Sequence, residues 1–425
     1  MSIPEMSDVT LKDKRVLLRV DLNVPLKNGE ITSDLRIRAI IPTIKKALKA
    51  GAKVMLLSHL GRPEEGVFNE QFSLAPIAAH LSTLLKQDVP LIRNWIDGFP
   101  MKNHSLVLLE NVRFNVGEKN NSLDLAKKMV ALCDVVVMDA FATAHRKEAS
   151  TCGIVQCAPI ACAGPLLIAE LRALENVLTK PKHPVVAIVG GSKVSTKLAL
   201  LDTLSQKVDT LIIGGGIANT FIAAKGYMVG RSLHEPDLID EAERLSLNAE
   251  ERGAEIPLPI DVVVADKLSE EAESSIRLLS QIDDNEKIYD LGPDSIKKYV
   301  KIIKAAKTIL WNGPVGAFEI EQFSEGTKAI ANAIAASNGF SVAGGGDTLA
   351  AIEKYDILNK IDYISTGGGA FLSFLEGKTL PAIAALEQHI NTPAKKTGGV
   401  AKKSGATKTK KPATTSKTKK KKKTS

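Results

Sequence analysis

Basic side chains follow three strand-like apolar runs in the first half of the chain, each in the same position relative to its run. These residues are His59, Arg62, Arg113 and Arg146. Ligands of an open parallel sheet bind outside the carboxyl ends of its strands, so we expect the four to meet in one crevice. A single arginine here would more often be a solvated surface charge, but the repeated position favours binding. The guanidinium fork suits carboxylate and phosphate, which predicts a small, multiply charged anion as ligand.

Two further arginines, Arg36 and Arg38, follow a turn at Gly29 and begin a predicted helix. We expect this helix to start close to the same crevice, which would add to its positive charge.

Four apolar runs in the second half of the chain each end in a block of glycines, and we expect a helix after each. The blocks lie at 190–191, 214–216, 344–346 and 367–369. Glycine permits positive φ and a close approach of the backbone to a ligand. A helix start behind it directs unpaired N–H groups at anions. The blocks match neither a Walker A loop nor a dinucleotide fingerprint, so they predict a phosphate-binding surface of another kind.

Charged residues accompany these glycines. Lys193 and Lys197 lie four residues apart, so we expect both amines on one face of the helix after the first block, where they suit a polyphosphate. Asp347 directly follows a glycine block and is either an ordinary helix N-cap or a Mg²⁺ ligand; both alternatives stay open. Glu319, in a rigid loop after the run that ends at Trp311, is a candidate acceptor for ribose hydroxyls.

One half of the chain therefore suits a small anion and the other a nucleotide, which predicts phosphoryl transfer across a cleft. That chemistry needs positioning and charge neutralisation more than covalent catalysis. The sequence offers no competing Ser–His–Asp set, catalytic cysteine or cluster of metal ligands. The four cysteines match no zinc spacing, and we expect buried thiols in a reducing compartment. They are Cys133, Cys152, Cys157 and Cys162.

Apolar strand-like runs alternate with helical periodicity up to about residue 390. The runs lie at 15–20, 53–57, 105–109, 134–138, 188–189, 210–213, 261–265, 308–311, 340–343 and 363–364. Such runs, separated by amphipathic helices such as 37–50, predict an α/β fold of two doubly wound parallel-sheet domains. The length of 425 residues also favours two domains. A helix over 165–179, stopped by the segment 180–184, would join them with a hinge.

The net charge of +8 belongs to the end of the chain. Residues 392–425 hold thirteen lysines and no acids, which leaves −5 on residues 1–391. This segment has almost nothing to bury, so we expect a disordered tail. Its lysines are either a solvated extension or a binding segment for nucleic acid or an anionic surface. Residues 1–14 resemble no targeting peptide and no apolar stretch could span a bilayer, which predicts a cytoplasmic protein without membrane contact.

Seven motifs resemble, in order, those of the phosphoglycerate kinase family. They are RVDLNVP at 19–25, SHLGRP at 58–63, ENVRF at 110–114, DAFATAHR at 139–146, WNGPVG at 311–316, GGGDT at 344–348 and STGGGA at 365–370. The resemblance runs from about residue 7 to 389. It implies reversible phosphoryl transfer from 1,3-bisphosphoglycerate to MgADP, giving 3-phosphoglycerate and MgATP.

The resemblance also implies roles for individual residues. The phosphoglycerate would be held by Asp21, Asn23, Arg36, His59, Arg62, Arg113 and Arg146. The nucleotide would be held by Lys193, Lys197, Gly216, Asn312, Glu319, Gly345, Gly346, Asp347 and Thr348, with Asp347 as the metal ligand. The catalytic set would be Arg36, Lys197, Mg²⁺ and the N–H groups of Gly368 and Gly369.

The same resemblance implies an arrangement of domains. Residues 1–170 would bind the phosphoglycerate and 171–370 the nucleotide, while 371–390 would pack back on the first domain. The chain would act as a monomer whose cleft closes on its substrates. Ala142 departs from the pattern, because the family has glycine there; if that position needs positive φ, alanine would cost about 1 kcal/mol.

Overall fold

The computed structural model of the chain describes residues 3–391, with side chains up to residue 389. The lysine-rich segment 392–425, predicted to be disordered, lies outside the described residues. The strands in the first half are β1 (Arg15–Arg19), β2 (Leu26–Lys27), β3 (Glu30–Ile31), β4 (Lys53–Leu57), β5 (Leu91–Ile92), β6 (Leu106–Leu109), β7 (Val135–Met138) and β8 (Ala161–Ala163). Those in the second half are β9 (Val185–Gly190), β10 (Thr210–Gly214), β11 (Asp261–Ala265), β12 (Ser275–Leu278), β13 (Lys287–Leu291), β14 (Thr308–Asn312), β15 (Phe340–Gly344) and β16 (Tyr363–Ser365).

The helices lie between these strands, as the alternating pattern predicts. The first six are α1 (Leu35–Lys49), α2 (Ala75–Leu85), α3 (Leu123–Ala131), α4 (Ile154–Cys157), α5 (Pro165–Leu178) and α6 (Leu198–Ser205). The others are α7 (Gly215–Ala224), α8 (Ile239–Glu251), α9 (Pro293–Ala305), α10 (Glu325–Ala335), α11 (Gly346–Lys354), α12 (Gly369–Leu375) and α13 (Pro381–Asn391). The helices expected over 37–50 and 165–179 are α1 and α5, each within two residues of its predicted ends.

The first lobe is built on a six-stranded sheet in the order β5-β6-β4-β1-β7-β8, and all of its pairings are parallel. Its strands are covered on both faces. In β1, Leu17 packs into one hydrophobic cluster, whereas Val16 and Leu18 pack into another on the opposite face. This two-sided burial explains why the strands read as continuous apolar runs.

The second lobe is built on a five-stranded parallel sheet in the order β10-β9-β14-β15-β16. In β9, Val189 packs into the same hydrophobic cluster as Leu17 of the first lobe, whereas Ile188 packs into a separate cluster on the other face. The glycine blocks stand at the carboxyl ends of β9, β10, β15 and β16, which brings all four to one edge of the sheet.

The strand predicted at 261–265 is present as β11, but its expected place in a parallel sheet is wrong. It lies in a separate antiparallel sheet of order β12-β11-β13. Only nine residues separate β11 from β12. That connection is too short for the helical crossover that a parallel partner requires.

The last helix, α13, lies against α4 and β8 of the first lobe. The backbone N–H of Ala161 donates to Nε2 of His389 at 3.1 Å. The backbone N–H of Ala382 donates to the carbonyl oxygen of Ala144 at 3.1 Å. Among residues 3–391, no helix is both long and apolar enough to cross a membrane.

Candidate active site

The turn after β1 presents a carboxylate and an amide to the first-lobe crevice. Asp21 is buried and its Oδ2 lies 2.9 Å from Arg36 on α1. The same guanidinium donates to the carbonyl oxygen of Asn23 at 2.9 Å. The side chain of Asn23 in turn accepts from the backbone N–H of Gly61 at 2.8 Å. The loops after β1 and β4 are thus joined at the strand ends.

His59 is buried at the floor of this crevice, with 2% of its surface exposed. Its Nδ1 lies 3.4 Å from a guanidinium nitrogen of Arg19, which is itself fully buried. Burial, aided by the surrounding arginines, lowers the pKa of His59 well below its usual range. The imidazole is therefore neutral at physiological pH.

Arg113 and Arg146 share one buried carboxylate, that of Glu148. Arg113 donates to Oε1 of Glu148 at 2.7 Å and to the carbonyl oxygen of Gly61 at 2.8 Å. Arg146 approaches the same Oε1 at 3.9 Å. Burial and the nearby Arg113 lower the pKa of Arg146. Sequence reasoning missed Glu148, because nothing in its local pattern marks it as a partner of Arg113, 35 residues away.

The remaining two arginines have different surroundings. Arg62 is exposed, has no ion-pair partner among residues 3–391, and is close enough to lower the pKa of Arg146. Arg38, one of the two arginines expected near the crevice, is instead exposed and pairs with Asp34 one helical turn earlier at 2.8 Å. Arg36 and Arg38 are two residues apart on α1, about 200° around the helix axis, so one faces the crevice and the other faces the surface.

In the second lobe, Lys197 is bound by backbone and amide oxygens at the ends of β9 and β14. Its amine donates to the carbonyl oxygen of Gly190 at 2.5 Å and to the side-chain oxygen of Asn312 at 2.7 Å. Burial lowers the pKa of Lys197 to about 8, and the charge of Asp347 opposes this shift.

The expectation that Lys193 and Lys197 share a helix face is wrong. Residues 191–194 are irregular, residues 195–197 form a turn, and α6 begins only at Leu198. The carboxylate of Glu235 accepts from both the backbone N–H and the hydroxyl of Ser195, at 2.8 and 2.6 Å. These contacts hold the segment outside the helix. Lys193 is exposed, while Lys197 turns inward.

Asn312 and Thr348 bind the third glycine block to the neighbouring strand. The side-chain nitrogen of Asn312 donates to the carbonyl oxygen of Gly344 at 2.6 Å. The hydroxyl of Thr348 accepts from the backbone N–H of Gly313 at 2.7 Å. Gly345 has φ +109°, and a Cβ there would lie 2.8 Å from Nδ2 of Asn312, so this position requires glycine.

The N-cap of α11 is Gly345, so the expectation of an N-cap at Asp347 is wrong. Asp347 lies in the first turn of α11, and its carboxylate has no hydrogen-bond partner among the described side chains. Residues 3–391 contain no cluster of three or more potential metal-ligating side chains. A lone free carboxylate at a glycine-rich helix start fits Mg²⁺, which keeps several waters and is held largely by the phosphates of a nucleotide.

A cavity of about 570 Å³ opens beside these groups, between the second sheet and the antiparallel sheet. Gly216, Asp347 and Glu319 line it together with Pro314 and Gly191. Apolar side chains that sequence reasoning missed line the rest, among them Ile222, Leu233, Pro259, Val262 and Leu268. Ile222 and Val262 are buried residues of α7 and β11, whereas Leu233, Pro259 and Leu268 lie in connecting segments, so no local pattern marks the five as one lining.

Several glycines of the blocks allow close backbone packing. A Cβ on Gly190 would lie 1.7 Å from the carbonyl oxygen of Pro314, and one on Gly216 would lie 2.2 Å from that of Ser192. Gly346 and Gly368, by contrast, have no atom within 4 Å of the corresponding position. Some glycines of the blocks are therefore needed for packing of the backbone, and others leave space in which a ligand could bind.

The fourth glycine block contacts the first lobe. A Cβ on Gly367 would lie 2.4 Å from the ring of Phe141, and one on Gly369 would lie 3.1 Å from Nε2 of His145. The guanidinium of Arg36 also donates to the carbonyl oxygen of Thr366 at 3.2 Å. Ala142 lies in a 3₁₀ turn without positive φ, so the cost considered for alanine does not arise.

Comparisons with known proteins identify the family of this chain. A sequence model of the family described as phosphoglycerate kinase matches residues 6–378. A phosphoglycerate kinase from Nitratidesulfovibrio vulgaris is 59% identical over 388 residues, covering 91% of this chain and 99% of that protein. The phosphoglycerate kinase structure from Coxiella burnetii has a TM-score of 0.88 at 54% identity, covering 91% and 99% of the two chains.

The structure from Pyrococcus horikoshii has a TM-score of 0.77 at 34% identity, covering 92% of this chain and all of that one. Members of this family act on phosphoglycerates and on ATP or ADP with Mg²⁺. The chain therefore belongs to the phosphoglycerate kinase family and is a glycolytic phosphotransferase that moves a phosphoryl group reversibly between 1,3-bisphosphoglycerate and ADP.

Proposed function

We propose that the first-lobe crevice binds the phosphoglycerate and that the glycine-rich edge of the second sheet binds the nucleotide. The observation that carries this assignment is the pair of charged strand-end surfaces linked by the hydrogen bond from Arg36 to Thr366. Arginine forks around His59 suit a carboxylate and a phosphate. The apolar cavity beside Gly216 suits a base and ribose, with Glu319 at its rim as the acceptor for ribose hydroxyls.

In the direction of ATP consumption, the attacking group is the carboxylate of 3-phosphoglycerate. A carboxylate is already ionised at neutral pH, so the reaction requires no general base. What it requires is cancellation of negative charge on the phosphoryl group in transfer. Arg36 from the first lobe and Lys197 from the second supply positive charge, and the N–H groups at Gly368 and Gly369 supply donors.

Lys197 carries out this role by exchanging partners. Its amine donates to Gly190 and Asn312, which orients the ammonium at the end of β9. Phosphate oxygens would replace neutral carbonyl acceptors and favour the charged form of the amine. Lys193, exposed on the preceding turn, would add a second cation for the outer phosphates.

Asp347 is the residue proposed to hold Mg²⁺, directly or through water. Its support is the position of a free carboxylate in the wall of the nucleotide cavity, beside Gly345, Gly346 and Thr348. A bound Mg²⁺ would neutralise charge on the nucleotide phosphates.

The proposed domains are 1–170 for the phosphoglycerate and 171–370 for the nucleotide, with 371–390 returning to the first. The contacts of α13 with β8 and α4 support that return. Closure of the two domains would align the substrates and exclude water. We further propose a cytoplasmic monomer, as expected for the glycolytic reaction and its diffusible substrates.

The test is a coupled assay of ATP formation from 1,3-bisphosphoglycerate, comparing Arg146→Ala with Arg93→Ala. Arg146 belongs to the proposed crevice, whereas Arg93 is exposed on the same lobe. We expect Arg146→Ala to raise the KM for the phosphoglycerate at least about tenfold, as loss of a charge-assisted hydrogen bond predicts. Equal kinetics for the two variants would contradict the assignment of the crevice.

A further inference from the structure

We propose that Arg19 fixes the tautomer of His59, so that His59 meets the phosphoglycerate as a neutral hydrogen-bond donor through Nε2. Arg19 is thus a positioning residue that acts through His59 and does not touch the substrate. The consequence for substrate recognition rests on the function proposed above, but the tautomer itself does not.

The position of Arg19 is fixed by several partners. It is fully buried, its Nε donates to Oγ of Ser150 at 3.1 Å, and a terminal nitrogen donates to the carbonyl oxygen of Val20. Ser150 donates its backbone N–H to Glu118 at 2.9 Å and its hydroxyl to the same carboxylate. Glu118 is likewise buried, so a carboxylate and a guanidinium lie on either side of one serine.

The remaining terminal nitrogen of Arg19 faces Nδ1 of His59 at 3.4 Å. A guanidinium can only donate, so Nδ1 must accept with its lone pair. The proton of a neutral imidazole is then on Nε2. The competing acceptor is Oδ1 of Asp21, which lies 3.9 Å from Nδ1 and is too distant to draw a proton there by hydrogen bonding.

The second nitrogen of the ring is available to a ligand. Nε2 has no hydrogen-bond partner among residues 3–391, and it is not one of the fully buried polar atoms that lack a partner. It therefore borders the crevice. An N–H at this point can donate a hydrogen bond to the carboxylate or the phosphate of the ligand.

The charges around His59 keep the ring neutral. Four arginines face it from different elements, against one carboxylate. The arginines are Arg19 on β1, Arg36 on α1, Arg113 after β6 and Arg146 after β7, and the carboxylate is Asp21. Burial also opposes an imidazolium. The ligand therefore gains an N–H donor whose availability does not change between about pH 6 and pH 8.

The direct test uses the full chain labelled with ¹⁵N-histidine and long-range ¹H–¹⁵N correlation spectra. His59→Gln assigns the His59 signals by their loss. We expect an unprotonated Nδ1 and a protonated Nε2 at pH 7 and at pH 6. A protonated Nδ1, or protonation of both nitrogens at pH 7, would overturn the proposal.

The positioning role is tested in the same spectra with Arg19→Met and Arg19→Lys. The lysine variant keeps a cationic donor, so we expect it to retain the tautomer. The methionine variant removes the donor, so we expect mixed tautomers and a pH-dependent KM for the phosphoglycerate that the wild type lacks. Retention of the single tautomer by a folded Arg19→Met protein would contradict the role of Arg19.

A second pair of variants tests the tautomer without disturbing the buried arginine. Glutamine places its amide nitrogen near the position of Nε2, whereas asparagine places it near Nδ1. We expect His59→Asn to weaken 3-phosphoglycerate binding, measured by calorimetry, about tenfold or more relative to His59→Gln. The reverse order would contradict donation through Nε2.

The experiments also separate this inference from the proposed function. If wild-type protein fails to bind 3-phosphoglycerate by calorimetry, the assignment of the crevice is wrong, while the NMR spectra still report the tautomer. If binding is normal and Nδ1 is protonated, the role of Arg19 is wrong and the crevice assignment stands.

Discussion

Arg36 donates to the carbonyl oxygen of Thr366 at 3.2 Å, across 330 residues of sequence. The same side chain binds Asp21 and Asn23 at the end of the first sheet, so one guanidinium joins both lobes at the proposed reaction site. Thr366 directly precedes the glycine block that begins α12. Because it bonds to groups of both lobes, Arg36 is suited to a test of the proposed function.

We predict that Arg36→Ala lowers kcat by about 10²- to 10³-fold, because it removes a donor to charge that develops in the transition state. Arg38→Ala is the matched control, since Arg38 lies two residues away on the opposite face of the same helix and pairs only with Asp34 at the surface. Steady-state assays in both directions measure the two variants. A kcat for Arg36→Ala near that of Arg38→Ala would exclude the catalytic role.

Because the pKa of Lys197 is lowered, we predict that kcat/KM for the nucleotide depends on pH. Burial lowers its pKa to about 8 in the folded protein, from an ordinary value near 10.4. The charged form therefore declines above about pH 8, and kcat/KM for the nucleotide should fall by up to tenfold per pH unit there. Lys197→Ala should lower kcat far more than it weakens nucleotide binding, and Lys197→Arg should be slow but lack the alkaline decline.

The same lowered pKa makes the free energy of unfolding rise with pH, in the range where kcat/KM for the nucleotide is expected to fall. Between about pH 8 and pH 10.4 the unfolded chain binds more protons at Lys197 than the folded chain does. The contribution of this group to the free energy of unfolding therefore rises with pH in that window. Urea unfolding of wild type and Lys197→Met should diverge there. Parallel pH profiles for the two proteins would refute the shift.

We predict that Gly216→Ala destabilises the protein by about 1–3 kcal/mol, because its Cβ would meet the carbonyl oxygen of Ser192 at 2.2 Å. Gly346→Ala is the control for stability, since no atom lies within 4 Å of its Cβ position. Thermal unfolding should place Gly216→Ala several degrees below Gly346→Ala. Gly346→Ala should act instead on the KM for ATP, because a methyl group there occupies the proposed phosphate space.

We predict that Asp347→Asn raises the Mg²⁺ concentration required for half-maximal activity by about tenfold, since one charged ligand is lost. Asp294→Asn is matched to it, because Asp294 also lies in the first turn of a helix but pairs with Lys297 at the surface. Activity is measured against free Mg²⁺ at fixed ATP. If the two variants share one Mg²⁺ curve, Asp347 is not the ligand.

Truncation after residue 391 tests the lysine-rich segment. Residues 3–391 contain both proposed substrate sites, so we expect kcat and both KM values to stay within about twofold. If the thirteen lysines bind nucleic acid, the full chain should bind DNA with an affinity that falls steeply between 50 and 200 mM salt, and truncation should abolish it. Binding that survives truncation, or that ignores salt, would reject a role for the lysines.

Much of the fold was predictable, because burial on both faces of a parallel strand leaves a local signal. Nine of the ten predicted strands lie in the two parallel sheets, and α1 and α5 match their predicted spans closely. The exception is β11, whose antiparallel pairing depends on a short connection that apolar runs do not reveal. The helix after the first glycine block begins late because distant Glu235 binds Ser195, a contact that no local pattern encodes.

The α/β architecture, the strand ends that carry charge and glycine, and the phosphoryl-transfer chemistry could all be predicted from the order of residues. The partners of the site residues required the folded chain: Glu148 contacts Arg113 and Arg146, Arg19 contacts His59, and Asn312 contacts Lys197. Strand and helix patterns repeat over a few residues and can be read locally. Hydrogen-bond partners, pKa values and the tautomer of a buried ring depend on groups 35 to 131 residues apart, which only folding brings together.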